Sequence, residues 1–392
     1  MATTVSANTD KEVGAPPITS PSVSGKALVV LREAKNARVI EPAFDFIYLD
    51  PAHPVLQELR RREKLDEVIA PAKTEFEKIL LVKRWVGLQW KFGHPDPYPP
   101  WNALTILDWV RSGKIRGFCG QYAQVFLQSL LSLGIQARYF ELGTKTNPIC
   151  HWNTEVWLND FNKWAVVDAT SNPDLSCHFE RDGIPQNALE LHNAYLDGQA
   201  STIKQIQDPV VLEFIGEEPK PFSLECYYNF RICMNQNQLD FPPKFVDMNT
   251  TWERYGDGVE WEDERTILWE SNPGQAWWPM RRLTARRANR PEQLYWTMHN
   301  GVEMQLRWWD GNVYVLYLKQ YSPAFDSFLV RFDGGPSTKL GVVSLSNHDW
   351  SPAPATSTYI MTPGGHKIEA RTKAKDGSLG PMSYLDFESP KK

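Results

Sequence analysis

The sequence predicts an α+β protein in which a domain of mixed helices and strands is followed by β-rich sequence. Apolar residues recur at helical spacing over residues 125–133, and Gly134 is a natural helix end. Strand-like runs follow this helix directly, and beyond about residue 222 aromatic and polar residues alternate. At 392 residues the chain is too long for one ordinary domain, so we expect two or three.

The first predicted elements are short strands over residues 27–31 and 44–49. Thr74 is predicted to cap a long helix that runs to about Trp90, because apolar residues recur on one face of this segment. Asn102 is predicted to cap a second helix, which ends near residue 113.

The helix that begins beside Cys119 is predicted to lead into three strands, over residues 135–142, 150–158 and 163–169. The short connection over residues 159–162 suits a tight turn, so the last two strands should form an antiparallel hairpin. In this hairpin His151 lies near the start of one strand and Asp168 near the end of its partner. Both side chains are therefore expected at the same end of the pair. A further helix is predicted over residues 186–196.

Cys119, His151 and Asp168 together have the contexts that a thiol nucleophile requires. A thiol attacks a carbonyl well only as thiolate, so it needs a base beside it and a positive field. The N-terminus of the helix after Cys119 supplies part of that field. His151 is the candidate base, and Asp168 is the candidate carboxylate that orients the imidazole.

The segments around these residues resemble the transglutaminase-like superfamily, a papain-like group that includes transglutaminases, peptide:N-glycanases and many bacterial cysteine hydrolases. The segments that carry the resemblance are residues 117–123, 133–138, 151–157 and 164–169. The resemblance covers about residues 70–175. It implies a catalytic domain of transglutaminase-like fold in which Cys119 is the nucleophile, His151 the general base and Asp168 the orienting residue.

The resemblance also implies an oxyanion donor upstream of the nucleophile. Trp90 and Gln89 are the two candidates, since either residue type serves in this role, and packing of Trp90 on an apolar helix face remains the alternative. The backbone N–H of Cys119 would be the second donor.

The β-rich region is expected to end in a sandwich of the immunoglobulin or fibronectin type, because short strands recur there at regular spacing. Asn300-Gly301 and Asp310-Gly311 are hairpin turn pairs between such strands. The strands are predicted over residues 223–233, 252–269, 294–299, 303–308, 312–318, 328–332, 341–345, 359–361, 366–372 and 383–387. The resulting domain prediction is a disordered tail over 1–26, a transglutaminase-like catalytic domain over 27–215, a β-rich connecting region over 216–280 and a β-sandwich over 281–392.

Composition excludes several classes of function. A net charge of −5 without a concentrated basic stripe argues against nucleic acid as a partner, and no apolar run is long enough to span a membrane. No signal peptide is visible, and five cysteines make no disulfide framework, so we expect free thiols and a cytoplasmic location. The sequence contains no CxxC pair and no cluster of His and Cys residues that would indicate a metal site. No cofactor is expected.

The predicted activity is acyl transfer from an amide, peptide or ester substrate through a thioester on Cys119. Hydrolysis by a protease or amidase is favoured, because capture of an amine acceptor against bulk water needs a dry acceptor channel. Transfer to an amine, as in protein cross-linking or small-molecule amide formation, is the alternative. A carbohydrate- or protein-binding protein with a vestigial triad is a third hypothesis. Separately, Trp277-Trp278 and Trp308-Trp309 are candidates for a surface that stacks on carbohydrate, and ordinary packing of these aromatic residues is the alternative.

Overall fold

The computed structural model describes most of the chain. The described residues are 4–6, 29–35, 37, 39, 43–44, 46, 49–147, 150–234, 236, 239, 258–263, 265, 286–310, 312–322, 325–341, 355–375 and 377–389. The chain forms two compact units, one of residues Phe46–Tyr295 and one that joins Met1–Asp45 to Trp296–Lys392.

The described elements are numbered in chain order. The α-helices are α1 Pro54–Arg62, α2 Leu65–Ile69, α3 Glu75–Gly87, α4 Ala103–Arg111, α5 Cys119–Ser132, α6 Ala188–Leu196 and α7 Pro209–Ile215. The strands are β1 Thr4–Ser6, β2 Val30–Lys35, β3 Ala137–Gly143, β4 His151–Leu158, β5 Lys163–Val167, β6 Cys177–Arg181, β7 Ile184–Pro185, β8 Lys204–Gln207, β9 Asn229–Cys233, β10 Gly258–Trp261, β11 Arg286–Ala288, β12 Glu303–Asp310, β13 Val313–Lys319, β14 Phe325–Phe332, β15 Thr338–Leu340, β16 Ala355–Ile360, β17 Gly364–Ala374 and β18 Ser383–Ser389. Short 3₁₀ turns cover Ala200–Thr202, Leu224–Tyr227 and Pro291–Gln293. None of the helices in these ranges is both long and apolar enough to cross a bilayer.

The predicted helix starts at Thr74 and Asn102 are confirmed. The hydroxyl of Thr74 accepts a hydrogen bond from the Glu77 amide at 3.1 Å, and the Glu77 carboxylate accepts one from the Thr74 amide in return. The side chain of Asn102 accepts from the Thr105 amide at 3.2 Å. Helix α6 confirms the helix predicted over residues 186–196.

The unit Phe46–Tyr295 contains a mixed sheet, and the predicted hairpin lies at its centre. The strand order is β11-β10-β9-β3-β4-β5-β6-β7, and β8 also pairs with β6. Strands β3, β4 and β5 are antiparallel neighbours, with Thr154 of β4 opposite Val167 of β5. Helix α5 is buried from Gly120 to Ser132, and its apolar side chains share one core cluster with β3 and β4. This packing fixes the start of α5 beside the start of β4.

The other unit consists of antiparallel strands in two sheets. Their orders are β1-β12-β13-β16 and β15-β14-β17-β18-β2, and apolar residues of both sheets belong to one core cluster. The hairpin predicted at Asp310-Gly311 is confirmed by the pairing of β12 with β13. The immunoglobulin or fibronectin type of sandwich stays a prediction.

Three features of the structure bear on the predicted domain organisation. The strand predicted at 27–31 is present as β2, but it pairs with β18 and not with the catalytic domain. The two units meet in sequence at Tyr295, and not near residue 280. Of the predicted tail over 1–26, only Thr4–Ser6 is described, as a strand paired with β12.

The strand predicted over residues 294–299 is wrong, and with it the hairpin at Asn300-Gly301. The amides of Leu294 and Tyr295 both donate to the carbonyl of Pro291, at 3.1 and 2.7 Å, which closes a turn instead of extending a strand. The alternation in this segment reflects burial of Leu294, Trp296 and Met298.

Several other expected strands are shortened or lie outside the described residues. Only Asn229–Cys233 of the strand predicted over 223–233 is extended, because a 3₁₀ turn precedes it. Only Gly258–Trp261 of 252–269 is described as strand. The described residues of 44–49 (Phe44, Phe46 and Leu49) are not in a strand. Residues 342–345 and Trp277-Trp278 lie outside the described residues. Trp308 packs against the core of its unit, whereas 67% of Trp309 is exposed.

Candidate active site

Cys119 is the first residue of α5 and is half-buried. The residue before it, Phe118, is extended and caps the helix, and its amide donates to the side-chain oxygen of Gln121 at 3.1 Å. The first amide N–H groups of a helix have no partner within it and carry partial positive charge. The thiol of Cys119 therefore lies where a negative charge is favoured.

A glycine next to the thiol brings α5 into contact with β4. A Cβ on Gly120 would come within 2.6 Å of the ring of Trp152, which is buried. Trp152 directly follows His151 in β4. This close approach of helix to strand holds Cys119 near His151.

His151 and Asp168 form a short hydrogen-bonded pair. The Nε2 atom of His151 lies 2.6 Å from Oδ2 of Asp168, and the two side chains are 5% and 2% exposed. Asp168 directly follows β5, and its other carboxylate oxygen accepts from the Thr170 amide at 2.8 Å. The hairpin thus places the two side chains at the same end, as the sequence predicts.

The imidazole of His151 also lies beside the thiol of Cys119, which helps to raise the pKa of this histidine. Because Nε2 faces Asp168, Nδ1 is the ring nitrogen left for the thiol. Burial by itself would lower the pKa of His151, but the charge of Asp168 and the hydrogen bond to it outweigh burial and raise this pKa well above its ordinary value. The arrangement favours an imidazolium beside the carboxylate of Asp168.

Asn153 is a residue of this cluster that sequence reasoning missed. Its Nδ2 donates to Oδ2 of Asp168 at 3.0 Å, so the same oxygen receives Asn153 and His151. The signal was present, because Asn153 lies two residues after His151 in one strand and therefore on the same face. A polar side chain in a buried strand needs a hydrogen-bond partner.

In the structure, the side-chain N–H groups of both oxyanion candidates donate to backbone carbonyls of other residues. The indole N–H of Trp90 donates to the carbonyl of Gly117 at 3.2 Å, and its ring stacks on Tyr122 with centroids 4.0 Å apart. The amide of Gln89 donates to the carbonyl of Trp85 at 2.7 Å, and its oxygen accepts from Arg111. Both side chains thus serve packing and local hydrogen bonds here, and the backbone N–H of Cys119 remains as the candidate donor.

Aromatic side chains surround the cluster. The ring of Phe118 packs edge-on against Trp152 at 5.2 Å and against Tyr98 at 6.0 Å. On the other side, the ring of Phe222 lies 5.9 Å from the imidazole of His151. Apolar walls of this kind lower the local dielectric constant and so strengthen the electrostatic interactions between the charged groups.

Comparison with known proteins finds a family match over the segment that contains this cluster. The family described as the transglutaminase-like superfamily matches residues 62–169. No curated protein matches the chain. Among solved structures, a crystal structure of red sea bream transglutaminase aligns over 88% of this chain and 73% of that one, with 10% identity and a TM-score of 0.22. The matched segment, residues 62–169, contains Cys119, His151 and Asp168 and is similar to the transglutaminase-like superfamily.

Proposed function

We propose that this protein is a cysteine-dependent acyl-transfer enzyme that hydrolyses amide or ester bonds. The observation that carries the proposal is the buried hydrogen-bonded pair of His151 and Asp168, with the imidazole beside the Cys119 thiol. A nucleophile, a base and an orienting carboxylate in this order form the triad arrangement that acyl transfer requires.

In the proposed reaction the thiolate of Cys119 attacks the carbonyl carbon of the substrate. The carbonyl oxygen becomes an oxyanion, which the backbone N–H of Cys119 stabilises at the positive end of α5. The imidazolium of His151 gives its proton to the leaving amine or alcohol, and an acyl-thioester remains. Asp168 keeps the imidazole oriented throughout, and Asn153 holds Asp168 in place.

Neutral His151 then takes a proton from the water that attacks the thioester. The carboxylic acid is released, and the thiolate of Cys119 and the imidazolium are restored. Water is the proposed acceptor, because Cys119 is half-buried and not sealed from solvent. Transfer to an amine would follow the same first half of the reaction.

The proposal is tested by incubating the full chain with a library of glutaminyl peptides and peptide amides. Mass spectrometry should find an acyl adduct on Cys119 and none on the buried Cys177 and Cys233, which serve as internal controls. Product formed in ¹⁸O-labelled water should carry the label in its carboxyl group.

Two results would change this conclusion. If a fluorescent primary amine captures most of the acyl group at millimolar concentration, the enzyme is an amine-accepting acyltransferase. If no substrate yields an adduct and Cys119 alkylates no faster than an ordinary thiol, the triad is vestigial and a binding role replaces catalysis.

A further inference from the structure

We propose that Cys150 and Cys226 form a dithiol that peroxides oxidise to an intramolecular disulfide beside His151. The proposal does not depend on acyl transfer, since neither cysteine takes part in the proposed reaction. Both thiols are half-buried, so a small oxidant reaches them.

Backbone pairing brings the two cysteines to the same end of β3. The amide of Cys150 donates to the carbonyl of Leu142 at 2.8 Å, so this residue flanks one edge of the strand. On the other edge, Gly143 pairs with Asn229, the first residue of β9. Cys226 lies in the 3₁₀ turn that leads into β9.

The two side chains lie near each other across this end of β3, close enough for each thiol to shift the pKa of the other. A disulfide requires the two Cβ atoms to lie about 3.5–4.5 Å apart. Neighbouring thiols need only a small approach to reach this geometry. Because Cys226 belongs to a short turn and not to a long helix or strand, the approach costs little regular structure.

The two thiols have different acidities, which suits a two-step oxidation. The hydrogen bond from Cys150 lowers the pKa of Cys226 despite burial, and the positive charge of His151 adds to this effect. The same hydrogen bond, together with burial, raises the pKa of Cys150. Cys226 is thus the more acidic thiol and the first nucleophile, and Cys150 is the resolving thiol.

In the first step the thiolate of Cys226 attacks one oxygen of a peroxide, the O–O bond breaks, and a sulfenic acid and one water or alcohol form. Sulfur then no longer carries the negative charge that kept Cys150 protonated. In the second step the sulfur of Cys150 attacks the sulfenic sulfur, and its proton leaves with the hydroxide as water. Two thiols lose two electrons, and one peroxide is reduced.

The experiment uses the reduced full chain treated with graded hydrogen peroxide, then alkylated and digested without reductant. The expected product is one cross-linked peptide pair that joins Cys150 to Cys226 and disappears on addition of dithiothreitol. Cys177 and Cys233, which are buried, should remain alkylatable throughout and so serve as controls within the same sample.

Two variants separate the steps. Cys150→Ser should accumulate a sulfenic acid on Cys226, which dimedone traps. Cys226→Ser should slow oxidation of Cys150 by about tenfold or more, because an ordinary thiol is only a few per cent thiolate at neutral pH. A cross-link from Cys119 to either cysteine, or free Cys150 and Cys226 at a peroxide concentration that fully oxidises Cys119, would overturn the proposal. The wild-type peptide map decides this even if a variant fails to fold.

Discussion

At His151, burial lowers the pKa of the imidazole and the neighbouring Asp168 raises it. The combined effect of the charge and hydrogen bond of Asp168 is the larger. A buried imidazole is ordinarily neutral, yet the carboxylate of Asp168 at 2.6 Å raises the pKa of His151 well above its usual value. The carboxylate is itself held by Asn153 and by the Thr170 amide, so the geometry of the site depends on residues that never touch a substrate.

Replacement of Cys119 by serine or alanine should abolish turnover while the fold persists. The thiol is half-buried, so the change costs little packing. Loss of a nucleophile typically lowers kcat by about 10³-fold or more. Steady-state kinetics and circular dichroism of both variants measure this. Retention of more than about a few per cent of wild-type turnover would show that another group attacks the substrate.

The stability of the protein should depend on the protonation of His151. A group whose pKa rises on folding stabilises the folded state fully below its unfolded pKa of about 6.5, and this contribution is lost as the pH rises through the folded value. The difference in unfolding free energy between the wild type and His151→Gln should therefore be largest near about pH 6 and should shrink at alkaline pH. Urea unfolding at a series of pH values measures it. A difference that grows with pH would contradict the raised pKa.

At the scale of elements, one buried ion pair joins the strands that carry the site. The guanidinium of Arg138 in β3 lies 2.6 Å from the carboxylate of Glu155 in β4, and neither side chain is exposed. The same carboxylate accepts from the amide of Ala188 at the start of α6 and from the hydroxyl of Tyr295. Strand β4 is thereby fixed at its middle, four residues from His151.

Glu155→Gln should destabilise the protein strongly, because it leaves the charge of Arg138 buried without its partner. The expected loss is about 3 kcal/mol or more. Denaturant unfolding of the variant measures it. Glu58→Gln is the matched control: its partner Arg61 is exposed, so the unfolding midpoint should not move. Equal effects of the two substitutions would mean that the buried pair adds nothing beyond an exposed one.

Patterns within short segments of the sequence predicted much of the site, whereas contacts between residues far apart in the sequence were missed. Thr74 and Asn102 marked helix starts because a cap needs a side-chain oxygen directly before apolar periodicity. The relative placement of His151 and Asp168 followed from one hairpin. The role of Trp90 could not be predicted in this way, because its indole N–H donates to the carbonyl of Gly117, which is 27 residues away. The pairing of β2 with β18 joins opposite ends of the chain, which no local pattern encodes.

At the scale of the whole molecule, the boundary at Tyr295 decides which fragment should be stable. The carbonyl of Leu294 accepts a hydrogen bond from Arg138 at 2.6 Å, and Tyr295 donates to Glu155 at 3.0 Å. These contacts belong to the unit that contains the site, although they lie near its C-terminal end. A cut near residue 280 would remove both.

A fragment of residues 46–295 should fold and keep the thiol of Cys119 reactive, whereas residues 46–280 should be much less stable. The shorter fragment leaves Arg138 and Glu155 without two of their buried partners, at a cost of about 1–3 kcal/mol each. Thermal unfolding and iodoacetamide labelling of both fragments measure this. A folded 46–280 fragment with a reactive Cys119 would show that the last turn of this unit is dispensable.

The central claim is that His151 activates Cys119 as an ion pair, and the pH dependence of Cys119 alkylation tests it most directly. Site-resolved mass spectrometry after brief iodoacetamide treatment separates Cys119 from Cys226. We predict that wild-type Cys119 is labelled rapidly at mildly acidic pH, and that in His151→Ala its labelling at the same pH is slower by about tenfold or more. An identical pH profile in the two proteins would show that His151 is structural and would contradict the account.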